Sequence, residues 1–217
     1  QAFSTKPGPV LVGQRINPLT GESEPRAIPK TYGCDGGIDY GSLFTLRSGT
    51  AAYYDKTVES GTVFLSGPRS GCTNSLIPTG GLLNVPYYYD GCTCSYPLPS
   101  AMSLVAMPAS HEQWSSWGES EIEPGKIQRI GINFGAPGDR MTRDGTLWLD
   151  YPSIGGPSPK VNLEVSPGTS FRYQHSMWMR SAEPSPWVHA SMAQNLKRCV
   201  IKDLKPGKYI VRLYFTE

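Results

Sequence analysis

The stretch SLFTLRSGTAAYYDKTVESGTVFLSG, residues 42–67, decides the fold class of this chain. It holds three short runs of apolar, aromatic and β-branched residues, SLFTLR, TAAYYD and GTVFLSG, with turn-forming residues between them. Such runs, bounded by Gly, Ser and Asp, are typical of strands in antiparallel sheets. Similar runs recur from VLVGQRI to AMSLVAM at intervals of roughly 8–12 residues. We therefore predict that residues 1–108 form an all-β region, as in a sandwich, barrel or propeller.

The composition of the whole chain agrees with this fold class. The 217 residues include 24 Gly and 20 Pro, which are the two poorest helix formers, so a helical bundle is disfavoured. The formal net charge of +2 offers no clustered basic surface for nucleic acid. No run of apolar residues is long enough to form a membrane-spanning helix. We expect neither a nucleic-acid partner nor a membrane-spanning segment.

A second series of strand-like runs begins near Lys126 and includes KIQRIGINFG, TLWLDYP, KVNLEV and GKYIVRLYF. The polar, acidic stretch SHEQWSSWGESEIEPG separates the two series. We interpret residues 109–125 as a surface linker and residues 126–217 as a second β domain. The predicted organisation is therefore β region, linker and β domain.

The final run has the clearest alternation in the chain. Tyr209, Val211, Leu213 and Phe215 fall on one face of a predicted strand over residues 208–215. We expect that face to be buried, and the backbone of such a strand needs partners on both sides if the strand is central in its sheet. Because no strand follows, we expect an incomplete domain, a fragment of a larger chain, in which additional polypeptide completes the open sheet edges.

Four cysteines lie in a stretch rich in Gly, Tyr and Ser, without the spacing of a zinc ribbon or a haem attachment site. They are Cys34, Cys72, Cys92 and Cys94. We predict two disulfides, in which the last two residues each reach back to one of the first two, so two connectivities stay open. Four buried thiols are the alternative. Disulfides indicate an oxidising compartment, periplasmic or extracellular, and hence an exported protein.

The fifth cysteine, Cys199, is left over. It is either a buried thiol or one paired outside this chain.

The chain lacks the usual arrangements of catalytic residues. His111, His175 and His189 are scattered, and neither a nucleophile elbow nor a glycine-rich phosphate loop is present. We therefore favour a non-catalytic protein and expect no cofactor.

Acidic residues in GDRMTRDGT offer a weak calcium site. Asp139 and Asp144 are the candidate ligands, because calcium prefers clustered carboxylates near a glycine turn. Arg140 and Arg143 lie between them, which favours local ion pairing or a turn instead.

The aromatic residues of the second half are the most suggestive functional feature. Sugars present apolar C–H faces and hydroxyl rims, so sugar sites combine flat rings with polar partners. The candidate ligand-binding residues are Trp148, Tyr151, Tyr173, Trp178 and Trp187. Packing in the core or at the edge of a sandwich is the alternative for each ring.

Two stretches of the second half resemble malectin-type domains of large secreted bacterial proteins. They are INFGAPGDRMTRDGTLWLDYPSIGGPSP and KDLKPGKYIVRLYFTE. In the first half, TYGC, LFTLRSGTAAYYD, PRSGCTNSLIPTGGLLNVP and GCTCSYP resemble the closing portion of PQQ-like β-propellers in planctomycete-type secreted proteins. The resemblance implies partial propeller-like antiparallel sheets followed by a partial malectin-like β-sandwich.

The same resemblance implies a function. Malectin-type domains bind carbohydrate through aromatic and polar loop residues, so we expect an exported binding or scaffold protein with a carbohydrate-binding module. One alternative is a fragment of a quinoprotein-type oxidoreductase, which would require calcium and PQQ. Another is a structural subunit of an extracellular assembly.

Overall fold

The structure is a computed structural model that describes residues 8–34, 36–66, 76–86, 101–108, 111–153, 156–180 and 184–216. Within these ranges the chain is nearly all β, with several small sheets and no closed barrel. The predicted all-β fold class is therefore confirmed. None of the described helices is long and apolar enough to cross a membrane.

The chain divides into two compact units. Unit 1 comprises Gln1–Gln14 and Pro25–Pro108, and unit 2 comprises Arg15–Glu24 and Ala109–Glu217. Strands β1 (Val10–Ile16) and β2 (Ser23–Ile28) pair with each other and contribute residues to both units.

Unit 1 contains two antiparallel sheets whose strands follow one another in chain order. The first consists of β3 (Ile38–Asp39), β4 (Leu43–Ser48), β5 (Thr50–Asp55) and β6 (Thr62–Leu65). The second consists of β7 (Ile77–Thr79), β8 (Leu82–Val85) and β9 (Met102–Val105). Short turns join β4 to β5 and β7 to β8, as expected for antiparallel neighbours.

Apolar side chains cover both faces of the first sheet. Five consecutive residues of β4 are buried, so this strand does not alternate between core and solvent. One cluster of buried residues joins Phe44, Leu46 and Tyr54, and a second joins Ala51 to Leu76. Burial of apolar surface on both sides therefore stabilises unit 1.

Unit 2 has a mixed sheet and two antiparallel strand pairs. In the sheet, β12 (Leu147–Tyr151) lies between β10 (Gly131–Phe134), with which it is parallel, and β11 (Arg140–Met141), with which it is antiparallel. The pairs are nested: β13 (Leu163–Val165) pairs with β16 (Cys199–Ile201), and β14 (Ser170–Arg172) pairs with β15 (Met192–Gln194). A 3₁₀ turn (Ser176–Trp178) and the short helix α1 (Trp187–Ala190) lie between β14 and β15.

The core of unit 2 includes a residue from the segment that we expected as a linker. Trp117 is fully buried and packs with Leu19, Leu147 and Leu149. The structure thus places Trp117 of this segment inside the core of unit 2. Burial of its indole ring removes a large apolar surface from water, which stabilises the fold.

The expectation for residues 208–215 was wrong. We predicted a strand with one buried face, but no strand is assigned over residues 202–216 and both faces are exposed. Ile210 is 88% exposed and Phe215 is 84% exposed, although these side chains point to opposite faces of a strand. In the described ranges no sheet includes this segment. Its Tyr214 contacts Trp148 and His189, whereas the side chains of Ile210, Val211, Leu213 and Phe215 stay exposed.

The predicted disulfides fall largely outside the described residues. Cys34 is half-buried and Cys199 is exposed, and both carry free thiols. Cys72, Cys92 and Cys94 lie outside the described ranges. The two disulfides, and the export that they imply, stay predictions.

Candidate ligand-binding surface

The five aromatic residues proposed for sugar binding have different environments. Trp187 is only 4% exposed, and Trp148 and Tyr151 are half-buried. Tyr173 is 42% exposed and Trp178 is 76% exposed. Only the last two therefore offer a large ring surface to a ligand.

Trp148 has a packing role. Its ring makes edge-to-face contacts with Trp187 and Tyr214, at centroid distances of 6.1 and 5.6 Å. It also covers Gly131, its partner in the β10–β12 register, where a Cβ atom would lie 2.3 Å from Trp148 Cδ2. Glycine at position 131 thus allows the indole ring to lie against the strand.

Tyr151 belongs to a separate aromatic cluster. Its ring is edge-on to Phe134 and Phe171, at centroid distances of 5.9 and 5.6 Å. These contacts hold β10, β12 and β14 together, so the ring serves mainly in packing.

A half-buried cation, Arg140, lies beside the aromatic residues. The guanidinium carbon of Arg140 is 4.8 Å from the centroid of Trp187 and 5.8 Å from that of Trp114, within cation–π range. Burial lowers the pKa of Arg140, and the negative charge of Glu112 opposes that shift. The two tryptophan rings therefore hold this side chain in place from two directions.

Glu112 connects Tyr173 to the 3₁₀ turn. Its side chain is 3% exposed, and its carboxylate accepts hydrogen bonds from Tyr173 Oη and from the backbone N of Ser176, the latter at 2.9 Å. Burial and hydrogen bonding to Glu112 raise the pKa of Tyr173 to about 12. The hydroxyl of Tyr173 thus stays protonated and donates to Glu112 at physiological pH.

His175 caps the turn and contacts the same carboxylate. Its Nδ1 accepts a hydrogen bond of 3.1 Å from Met177 N, and its Nε2 lies 3.2 Å from Glu112 Oε2. Because Nδ1 is an acceptor, the neutral ring carries its proton on Nε2 and donates it to Glu112. His175 is therefore held from both ring nitrogens.

The turn presents Trp178 to solvent. Backbone hydrogen bonds from Trp178 N to His175 O and from Met179 N to Ser176 O close it, at 3.1 and 3.0 Å. His175 caps the start of this turn and Trp178 is its last residue, and both side chains are exposed. We call the exposed parts of Tyr173, His175 and Trp178 the Trp178 surface.

Sequence reasoning missed three residues of this region. Glu112 and Trp114 lie in the segment expected as a linker, and Arg140 was interpreted as a partner of nearby carboxylates. In the sequence, Glu112 and Trp114 stand out only as an acidic and an aromatic residue two positions apart in a polar stretch. This pattern does not indicate which residues they contact. Their role depends on contacts with residues more than 50 positions away, such as the Ser176 backbone.

Asp139, one of the two candidate calcium ligands, is buried at a junction of three segments. Its carboxylate accepts hydrogen bonds from Trp117 N, Asp150 N and Ser158 Oγ, at 3.1, 3.2 and 2.7 Å. Burial, together with the neighbouring Asp150 carboxylate, raises the pKa of Asp139 to about 7, although the hydrogen bonds from Ser158, Trp117 and Asp150 oppose the shift. This arrangement makes Asp139 a structural hub.

Asp144, the other candidate, lies in an exposed turn. Its carboxylate accepts hydrogen bonds from Thr142 Oγ1 and from both the backbone N and the Oγ1 of Thr146. These bonds lower its pKa. In the described part of the chain, no group of three or more His, Cys, Asp or Glu residues could hold a metal ion.

Unit 2 also has a cavity of about 320 Å³, lined in part by Asp150 and Ser158, which both donate hydrogen bonds to Asp139. Its lining includes Asp150, Tyr151, Ser158 and Lys160, together with apolar residues of β10 and β12. Asp150, one of the two neighbouring buried carboxylates, lines the cavity, but its aromatic residue, Tyr151, is engaged in ring packing.

The fold and the Trp178 surface define an all-β protein with an exposed aromatic surface held by buried polar contacts. No family model, curated protein or solved structure matches the chain. The resemblance to PQQ-like propellers and malectin-type domains therefore rests on the quoted sequence motifs alone.

Proposed function

We propose that this chain is an exported, non-catalytic binding and scaffold protein whose unit 2 binds carbohydrate at the Trp178 surface. The observation that carries this proposal is the 76% exposure of Trp178 on a turn whose conformation is held by hydrogen bonds. A flat ring exposed to water can stack on the C–H face of a sugar. Because the turn is already ordered, binding costs less conformational entropy.

Polar groups beside the ring support the same proposal. His175, three residues before Trp178, exposes 45% of its side chain, and Arg180 is exposed two residues after Trp178. These groups can bind the hydroxyl rim of a sugar whose face stacks on the indole ring. The buried Glu112 carboxylate positions Tyr173 and His175 without itself being accessible.

A glycan array with matched variants tests the proposal. Trp178→Ala should abolish binding that the wild-type protein shows, whereas Trp178→Phe, which keeps a ring, should retain part of it. Met177→Ala is the matched control, because Met177 is also 76% exposed on the same turn but has no ring. Wild-type protein that binds no glycan, or equal binding by Trp178→Ala, would overturn the proposal.

The exposed segment 208–215 supports a second role, assembly with further polypeptide. Its apolar side chains include Ile210, Val211 and Leu213, each at least 73% exposed. Exposed apolar patches of this kind mark interaction sites. Backbone amides of residues 208–215 should exchange rapidly with deuterium in the dilute chain. Slow exchange at the highest dilution would overturn this role.

A further inference from the structure

We infer that His175 is a pH-sensitive cap, which holds the turn that carries Trp178 when its ring is neutral and releases that turn when the ring is protonated. The consequence, regulation of binding at the Trp178 surface by pH, rests on the function proposed above. The change in the turn itself needs no ligand, so the two proposals can fail separately.

Four consecutive backbone amides hold the turn, and each has an acceptor. Ser176 N donates to the Glu112 carboxylate at 2.9 Å, and Met177 N donates to His175 Nδ1 at 3.1 Å. The two amides that follow donate to backbone carbonyls within the turn, at 3.1 and 3.0 Å. The acceptor of the Met177 amide is thus an imidazole nitrogen, the type of group that ordinarily changes its charge between pH 5 and 8.

Protonation converts this acceptor into a donor. In the neutral ring Nδ1 accepts and Nε2 donates, whereas the charged ring carries an N–H group on each nitrogen. The Nδ1–H and the Met177 N–H would then face each other as two donors, so this hydrogen bond is lost and one of the two groups must turn away.

Glu112 determines which of the two groups moves. His175 Nε2 lies 3.2 Å from Glu112 Oε2, and a carboxylate binds a charged ring more strongly than a neutral one. The Glu112 side chain is itself fixed, since it is 3% exposed and also accepts hydrogen bonds from Tyr173 and the Ser176 backbone. The protonated ring therefore stays on Glu112, and the Met177 amide moves away from it.

Other charged and titratable groups lie around this ring. Arg140 interacts electrostatically with the Glu112 carboxylate, and Tyr173 stays protonated on it because its pKa is raised to about 12. Helix α1 packs against the turn and carries His189, whose ring contacts Tyr214. The charged neighbours along the chain are Arg172 and Arg180. Of these groups, His189 is a second imidazole and requires a control variant.

NMR spectra of the full chain between pH 8 and pH 5 test the switch. The amide resonances of Met177 and Trp178 should shift together with the ring protons of His175, with one common midpoint. His175→Asn should remove this shift, because an asparagine side chain also caps a turn from this extended conformation and does not titrate. His175→Ala, which has no cap, should show the acid-form amide positions already at pH 8.

His189→Asn and Asp139→Asn are the matched controls. The first removes the other imidazole near the turn, and the second removes a carboxyl group whose pKa is raised to about 7. Both variants should keep the wild-type shift of the Met177 amide. Amides that stay constant while the His175 ring titrates would overturn the inference, as would a ring that keeps one charge state throughout this interval.

Calorimetry at pH 8 and pH 5, with the glycan that binds most tightly on the array, measures the consequence for binding. Wild-type affinity should be about fivefold lower at pH 5, which corresponds to about 1 kcal/mol for one lost cap. In His175→Asn the two affinities should be equal, whatever their value. Equal wild-type affinities at both pH values would overturn the regulation of binding. Wild-type protein that binds no glycan at pH 8 would overturn the proposed function, and the amide titration would still decide on the switch.

Discussion

The guanidinium carbon of Arg15 lies 3.3 Å from the centroid of the Trp117 ring. Both residues belong to unit 2 and both are buried. Arg15 Nη1 also donates a hydrogen bond of 2.9 Å to the Trp117 carbonyl, and Arg15 Nε pairs with Glu24 at 2.9 Å. This contact joins residues 15–24 to the segment 109–125, which are about a hundred residues apart in sequence.

Trp117→Ala should destabilise unit 2 strongly. Removing a fully buried indole ring leaves a cavity among Leu19, Leu147 and Leu149, at a cost of about 3–5 kcal/mol. Urea unfolding followed by circular dichroism measures the loss. Trp178→Ala, which removes an exposed ring, is the control and should change stability little. Equal stability of the two variants would contradict the assigned core.

The stability of unit 2 should fall as pH rises from about 4 to about 7. Burial raises the pKa of Asp139 to about 7 from an unfolded value near 3.8, so the folded chain holds a proton that the unfolded chain releases in this interval. Unfolding then becomes easier with rising pH, with a slope of up to about 1.4 kcal/mol per pH unit.

Asp139→Asn isolates this contribution. The amide does not titrate, so the difference in unfolding free energy between wild type and variant should depend on pH in that interval and level off outside it. Urea titrations at a series of pH values provide the measurement. A difference that is constant from pH 4 to pH 7 would mean that Asp139 titrates alike in both states.

Glu112→Gln should weaken the proposed carbohydrate binding without unfolding unit 2. The Glu112 carboxylate now meets three donor groups, from Tyr173, His175 and the Ser176 backbone. The NH₂ group of glutamine is itself a donor and cannot accept a hydrogen bond from any of them, so the turn would lose its fixed conformation. Isothermal titration calorimetry should show a less favourable binding entropy, since the turn must then be ordered on binding. Unchanged affinity and entropy would exclude a positioning role for Glu112.

Asp144→Ala should destabilise the turn between β11 and β12 by about 1 kcal/mol, because the carboxylate accepts hydrogen bonds from Thr142 and Thr146. Since its pKa is lowered in the fold, this contribution is present at neutral pH and is lost as pH falls below the ordinary aspartate range. Thermal unfolding at pH 7 and at low pH tests both points.

Calcium should not raise the melting temperature of the wild-type protein, because the oxygens of Asp139 and Asp144 already accept hydrogen bonds from protein donors. A melting temperature that rises with calcium in the wild type but not in Asp144→Ala would restore the calcium hypothesis.

In unit 1, Arg26→Lys should cost about 1–3 kcal/mol. Arg26 binds both carboxylate oxygens of Glu59 and donates to Val12 O at 2.8 Å, and Tyr54 Oη donates to the same carboxylate. A lysine ammonium cannot make this forked contact. Lys56→Arg, at an exposed ion pair with Asp39, is the control for a charge-conserving change. Equal unfolding midpoints for both variants would contradict the prediction.

Much of unit 1 could be predicted because its signals are local. The run SLFTLR covers all of β4 except its last residue, and TAAYYD and GTVFLSG contain β5 and β6, since strand-forming residues alternate there with tight turns. Residues 208–215 have a clearer alternation and yet form no strand in the structure. Periodicity indicates which segments could pair, but a strand also requires a neighbour that donates and accepts its hydrogen bonds.

The candidate surface could be predicted only in part. Tyr173 and Trp178 belong to the predicted set, but nothing in the sequence distinguishes the exposed Trp178 from the buried Trp187, nine residues later. Glu112, which positions the surface, looked like part of an acidic linker. Its burial depends on Tyr173 and Ser176, whose positions follow from the pairing of β14 with β15.

By itself, the sequence determined the all-β class of this protein, because strand and turn preferences act over a few residues and repeat along the whole chain. The tertiary structure decided which rings are exposed, which carboxylate has a raised pKa and which apolar segment is exposed. These properties depend on burial, and burial of one residue is set by residues far away in sequence, as Arg15 and Trp117 show.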